Sequence, residues 1–156
     1  MLTVYGGSVQ FVLNTETQLQ AMETMYSGHT RLKVRFHMCN STSNTPIEEW
    51  ELQLAAADAA LPLSGSSSPG DVLPLNDVMV EVSVLTLTNC TVQPTPSFIL
   101  TNSPQTLATG HWSAPSPTPN DVMEAELMLT YKLRGPQWGR KPGVYLTNLQ
   151  ILLKEV

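Results

Sequence analysis

Three histidines, two cysteines and two short groups of carboxylates are the residues of this chain whose types could support catalysis. The histidines are His29, His37 and His111, and none stands in a G-x-S-x-G frame or a comparable nucleophile motif. The serines are numerous, but they collect in segments with the composition of turns, where serine is a common residue. We therefore expect no Ser/His mechanism and no enzymatic activity.

The two cysteines admit three interpretations. His37 and Cys39 are two positions apart and would share one face of a strand. A closed zinc site needs four ligands, and Cys90 offers a third while no fourth is evident. An even pair of cysteines in a β-rich chain of low charge favours a Cys39–Cys90 disulfide in an oxidising compartment, with reduced buried thiols as the alternative. We expect the disulfide, no metal ion and no cofactor.

The carboxylates alternate with apolar residues. Glu49 and Glu51 flank Trp50, and Glu124 and Glu126 flank Ala125, which places the carboxylates on outward strand faces. This pattern predicts a solvated face rather than the paired acid and base of a glycosidase. The sequence also lacks a Walker A loop, a dinucleotide-binding fingerprint and an EF-hand loop.

The elements that must position these residues are mostly strands. Period-two alternation is clearest in "RLKVRFHM", and it recurs in "EEWELQLAA", "DVMVEVSVLTL", "VMEAELMLTYKL" and the closing "RKPGVYLTNLQILLKEV". One segment, 16–26, has a helical period, with Thr15 or Asn14 as the N-terminal cap and Gln18 about three residues further on, as in a capping box. The sequence predicts an all-β, immunoglobulin-like antiparallel β-sandwich of about seven or eight strands with one short helix near the N-terminus. We expect a single domain over 1–156, with a closed barrel as the structural alternative.

The composition narrows the classes of partner. Charged residues make up 13% of the chain, about half the usual share, and the net charge is −5, which disfavours nucleic acid. The neutral polar surface is typical of many extracellular β-proteins. No stretch is long enough to span a membrane. No basic segment precedes an apolar run at the N-terminus, so we expect either a mature form or a chain that is not exported.

The basic residues fall mainly into two sets. They are Arg31, Lys33 and Arg35 in one strand, and Arg134, Arg140 and Lys141 before the last strand. If these strands are neighbours, the two sets form one positive patch that could meet an acidic patch on another copy. The alternative is that Glu49 and Glu51 neutralise the first set across strands.

The tryptophans near loops give a binding hypothesis. Trp112 and Trp138, with Tyr145 nearby, could stack on a sugar ring if they are exposed. Burial at the end of the sandwich is the alternative, because tryptophan usually hides most of its surface.

The chain also resembles a family of secreted bacterial pilin-like β-sandwich domains. The matching pieces are "FVLNTETQLQ", "EEWELQLAA", "LPLNDVMVEV", "SPQTLATG" and "KPGVYLTNLQILL". The resemblance implies surface-displayed, non-enzymatic fibre subunits that complete each other's sheets with a donated terminal strand. Residues 1–13 would be the donor or edge strand here, with Val4, Tyr5, Val9, Phe11 and Leu13 at the subunit interface.

These observations lead us to expect a structural subunit of an extracellular bacterial fibre or surface assembly. Its partners would be copies of itself, joined by strand-edge pairing into a homopolymer. A glycan-binding module that recognises surface glycans is one alternative, and a phage virion decoration or tail protein is another.

Overall fold

Strands dominate the computed structural model, which describes residues 1–25, 30–37, 49–113 and 121–156, with the backbone alone for 23–25. The strands are β1 (Leu2–Tyr5), β2 (Ser8–Leu13), β3 (Glu23–Met25), β4 (Thr30–His37), β5 (Glu49–Ala56), β6 (Ala60–Pro62), β7 (Val72–Pro74), β8 (Val78–Thr88), β9 (Cys90–Pro94), β10 (Ser97–Ile99), β11 (Gln105–Trp112), β12 (Val122–Arg134) and β13 (Gly143–Glu155). The helix α1 covers Glu16–Gln20, and a 3-10 turn covers Leu75–Asp77.

Two large antiparallel sheets carry the fold. Sheet A has the order β1-β4-β12-β8-β10, with β3 also paired to β12, and sheet B has the order β2-β13-β5-β11-β9. The predicted all-β sandwich with one short helix is confirmed. More strands form than the predicted seven or eight, because segments predicted as connectors, such as the Pro-rich one that contains β9, also form short strands, while β10 matches a predicted short strand at 98–100. Proline is compatible with such positions because β9 and β10 lie at sheet edges.

The inner faces of the two sheets form the core. The buried side chains of β12 are Met123, Ala125, Leu127, Leu129, Tyr131 and Leu133, at every second position. They belong to one cluster with the buried Trp50, Leu52 and Leu54 of β5 in sheet B. Each large side chain buried in this way stabilises the fold by about 1.5–3 kcal/mol.

The N-terminal segment crosses from one sheet to the other. β1 pairs with β4 in sheet A, and β2 pairs with β13 in sheet B. Gly6 makes the crossing possible because its φ is 75°, a left-handed conformation that costs glycine little. The first thirteen residues therefore form the terminal strand on one side of each sheet of their own chain.

The helix is shorter than predicted. The capping box forms as expected, because Gln18 N donates to Thr15 Oγ1 at 3.2 Å and Thr15 N donates to Gln18 Oε1 at 3.1 Å. After Gln20 the chain becomes β3, which pairs with the end of β12. Pairing with an existing sheet outweighs the helix propensity of this segment, because tertiary contacts commonly override propensity.

Gly110 and Trp50 are directly opposite each other on β11 and β5. A β-carbon at Gly110 would overlap the indole ring of Trp50, which is almost fully buried. The absence of a side chain at Gly110 therefore makes the space that the indole occupies.

Gly110→Ala should lower the free energy of unfolding by about 1–3 kcal/mol, because the added methyl group overpacks the core. Urea unfolding followed by tryptophan fluorescence measures this change. The matched control is Gly70→Ala, where a β-carbon meets nothing within 4 Å. Equal stability of the two variants would contradict the proposed packing.

A buried hydroxyl pair joins β12 to β4. Tyr131 Oη donates to Thr30 Oγ1 at 2.7 Å, and both side chains are fully buried.

Tyr131→Phe should therefore lower the free energy of unfolding by about 1–3 kcal/mol, because it removes a buried hydrogen bond. The double variant Tyr131→Phe with Thr30→Val removes both partners and should recover part of that loss in thermal unfolding. A double variant less stable than the sum of the singles would contradict this pairing.

Candidate functional site

The outer edge of β8 is covered over part of its length. β10 pairs with Met79–Glu81, and Val82 N donates to Pro96 O at 3.0 Å. No described residue pairs with this edge from Ser83 to Thr88. Within residues 1–25, 30–37, 49–113 and 121–156, the second half of β8 therefore has one edge without a partner strand, and its other edge is bonded to β12.

This open edge carries exposed apolar side chains. Val84, Leu85 and Leu87 are 36%, 40% and 44% exposed. Val84 lies opposite Leu127, and Leu87 lies opposite Ala125, whose side chains point into the core. Leu85 has no opposite residue, because the register shifts there in a β-bulge. Core-facing side chains are thus left half-covered at the rim of the sandwich.

β1 forms the opposite edge of sheet A. Its inner-face residues Leu2 and Val4 lie opposite Val34 and Leu32 of β4, and its outer-face residues are Thr3 and Tyr5. Val4 is 39% exposed and Tyr5 is 55% exposed. No described strand pairs with the outer side of β1. Neither β1 nor the open part of β8 has a charged side chain, although charges are a common protection of strand edges.

The residues predicted as a donated strand divide into two groups. Val9, Phe11 and Leu13 of β2 are buried in the core of their own chain. Val4 and Tyr5 lie on the exposed edge strand. Removing residues 1–13 would therefore take three core side chains out of the fold, and such a deletion cannot separate assembly from folding.

The first basic set lies on the outer face of β4. Arg31 forms an ion pair with Glu126, Lys33 Nζ lies 2.8 Å from Glu124 Oε1, and Arg35 Nε lies 3.8 Å from Glu124 Oε2. The partners are not the predicted Glu49 and Glu51, because β4 and β5 belong to different sheets. These cross-strand pairs contribute about 0.2–1 kcal/mol each.

The second basic set lies elsewhere. Arg134 ends β12 beyond the residues paired with β4, and it lines a shallow depression of about 480 Å³ with Asn76 and Asp77. Arg140 Nη1 donates to Val72 O at 2.6 Å, and Lys141 Nζ donates to Asp71 Oδ2 at 2.9 Å. The predicted single positive patch is therefore not formed.

The hydrogen bonds of Asp71 with Ser66 and Lys141 shift the pKa of its carboxyl group. Ser66 Oγ donates to Asp71 Oδ2 at 2.6 Å, and Lys141 bonds the same oxygen. The hydrogen bond from Ser66, followed by that from Lys141, lowers the pKa of Asp71 below its ordinary value. The ion pair between Asp71 and Lys141 joins the loop before β13 to the loop of the β6–β7 hairpin.

The two tryptophans near loops have different environments. Trp112 is partly buried and packs against the core at the end of β11. Trp138 is 68% exposed. Its loop is held by Gly135 N, which donates to Met22 O at 2.8 Å, and by Gln137 N, which donates to Leu19 O at 2.7 Å. Tyr145 is fully buried, and its hydroxyl donates to Lys141 O at 2.7 Å.

Cys90 is buried, and no described residue forms a disulfide with it. Its Sγ donates to Glu124 O at 3.2 Å, and burial raises the pKa of the thiol above its ordinary value, which keeps it protonated and poorly nucleophilic. Cys39 lies outside the described residues, so the structure gives the predicted disulfide no support and the pairing stays a prediction. His29 also lies outside them.

The carboxylates of β5 border a shallow depression of about 410 Å³ on the outer side of sheet B. Thr106 Oγ1 and Gln53 Nε2 donate to Glu51 Oε1, and these hydrogen bonds, that of Thr106 first, lower the pKa of Glu51. His111, on the same rim, is hydrogen-bonded through Nε2 to Thr91 Oγ1 at 2.7 Å. No group of three or more potential metal ligands occurs among residues 1–25, 30–37, 49–113 and 121–156.

The open edge of β8 is the feature that sequence reasoning missed. The alternation in "DVMVEVSVLTL" predicts that Val78, Val80, Val82 and Val84 share one face, but it does not indicate that the cover from β10 ends before Val84. The uncharged run "SVLTLT" was the available signal.

In the described part of the chain, no helix has the length and apolar character needed to cross a membrane.

The comparisons with known proteins leave the site to be judged on its geometry. No protein-family model, no curated protein and no solved structure matches this chain.

Proposed function

We propose that this protein is a non-enzymatic structural subunit that assembles with copies of itself through strand edges. The observation that supports the proposal best is that sheet A ends on both sides in uncharged, partly apolar strand edges, at β1 and at Ser83–Thr88 of β8. A row of unpaired backbone N–H and C=O groups is a template for another strand. Pairing between subunits would satisfy these groups and cover the exposed apolar side chains.

The buried state of β2 defines how such assembly would work. Val9, Phe11 and Leu13 fill the core of their own chain, so each subunit folds with its own N-terminal segment in place. Assembly then joins complete sandwiches edge to edge. The low charge and the Ser/Thr-rich composition support an extracellular fibre or surface layer as the setting.

Blocking both edges tests this proposal. The double variant Val4→Lys with Leu87→Lys places a charge on each free edge of sheet A. We expect the wild type to form oligomers that grow with concentration in light-scattering chromatography, and fibres in negative-stain images. The double variant should remain monomeric, because pairing would bury an unpaired lysine charge.

The matched control changes two exposed apolar residues away from these edges, Met22→Lys with Leu152→Lys, and so adds the same charge. This control should assemble like the wild type. A wild type that stays monomeric at every concentration would contradict the proposed function. Equal loss of assembly in both double variants would show that charge alone, and not the edges, controls association.

A glycan-binding module is the second candidate, and the exposure of Trp138 favours it. The indole lies on a loop whose backbone is held by hydrogen bonds to Leu19 and Met22, and it presents a flat apolar surface to solvent. Stacking on a sugar ring uses such a surface, because it loses little conformational entropy on binding.

Trp138→Ala should weaken binding on a glycan array by at least about tenfold, which corresponds to 1.4 kcal/mol. Met22→Ala, at a neighbouring exposed apolar residue, is the matched control and should leave binding unchanged. A wild type that binds no glycan, or a Trp138→Ala variant that binds equally well, would exclude this candidate.

A virion decoration or tail protein would share the edge assembly, and the flanking genes distinguish it from a fibre subunit.

A further inference from the structure

We infer that β1 of one copy pairs antiparallel with Ser83–Thr88 of β8 in the next copy, so that sheet A continues from subunit to subunit. This inference rests on the proposed function and specifies its interface. It assigns two different edges, a β1 edge and a β8 edge, to one contact.

The directions of the strands in sheet A allow this contact. β1, β4, β12 and β8 follow one another across sheet A, and each neighbouring pair is antiparallel. β1 and β8 therefore run in opposite directions. Simple translation of a copy along the sheet brings its β1 antiparallel to β8 of the previous copy.

The unpaired parts of β1 and β8 lie at the same level along the strands of sheet A. Val4 lies opposite Leu32, Leu32 opposite Leu127, and Leu127 opposite Val84. In the same way Leu2 shares a row across the sheet with Leu87, Thr3 with Thr86, and Tyr5 with Ser83. The free part of one edge is thus at the same height as the free part of the other, next to the segment that β10 already covers.

The side chains of the two edges match on both faces of the sheet. Translation along these rows places the inner-face Leu2 and Val4 of the next copy beside Leu87 and Val84. On the outer face it places Thr3 and Tyr5 beside the exposed Thr86 and Ser83. Apolar side chains meet apolar ones at the rim of the core, and hydroxyl groups meet on the outer surface. Such cross-strand pairs are the unit of sheet stabilisation.

The backbone groups of the two edges point outward at matching positions. Met1 and Arg35 exchange both backbone hydrogen bonds, at 2.7 and 2.9 Å, so the groups of Leu2 and Val4 point away from β4 by alternation. Val82 N points towards β10, so by the same alternation Val84 also points outward. Val4 and Val84 can then form a hydrogen-bonded pair.

A contact between two different edges is heterologous, and heterologous contacts that do not close produce filaments. A contact of β8 with β8 of a second copy would be isologous and would stop at a dimer. The two cases give different results when singly blocked copies are mixed.

Val4→Lys blocks the β1 edge alone, and Leu87→Lys blocks the β8 edge alone. We expect each variant to be monomeric by light-scattering chromatography at concentrations where the wild type assembles. An equimolar mixture should form a heterodimer and nothing larger, because one copy contributes a free β8 and the other a free β1. The apparent dissociation constant of each variant with itself should exceed that of the mixture by at least about tenfold.

Leu152→Lys, an exposed position on sheet B, is the matched control and should assemble like the wild type. Val84→Pro blocks the β8 edge without adding a charge. It should also be monomeric alone and form a heterodimer with Val4→Lys, so the test does not depend on how the lysine variant folds. Dimers of Val4→Lys alone would overturn the inference in favour of a β8–β8 contact. Assembly of both single variants, or no heterodimer in the mixture, would overturn it while the proposed function stands. A monomeric wild type would overturn both.

Discussion

The difference in length between β8 and β10 is the constraint on which this account depends. β8 is held along its inner edge by β12, while β10 covers only its first half. Backbone groups in the second half must then be satisfied by water or by another strand. Val84 and Leu87 on this half lie opposite core residues of β12. Apolar side chains at the rim of the core are therefore exposed to solvent along this edge.

The N-terminal segment links folding to the proposed assembly. β2 fills the core of sheet B with Val9, Phe11 and Leu13, while β1 ends sheet A with a free edge. Gly6 joins these two roles by letting the chain cross between the sheets. In this chain the N-terminal segment fills its own core, whereas a donated strand would fill the core of another copy.

Period and turn chemistry predicted most elements, whereas neighbour relations could not be read from the sequence. The alternation of Leu32, Val34 and Phe36 and the capping box of Thr15 were predicted and are observed. The ion-pair partners of Arg31 and Lys33 were not, because alternation fixes the face of a residue and leaves the adjacent strand open. The edge at Val84 escaped prediction for the same reason, since the extent of cover by β10 depends on tertiary pairing.

Amide hydrogen exchange at Val84 tests the central claim most directly. The claim predicts fast exchange at Val84 in dilute protein and slow exchange at concentrations where the protein assembles, because the N–H then bonds to the next copy. The amide of Ser83, which by alternation faces β12, should be protected at both concentrations. Equal exchange at Val84 in dilute and assembled protein would contradict the account.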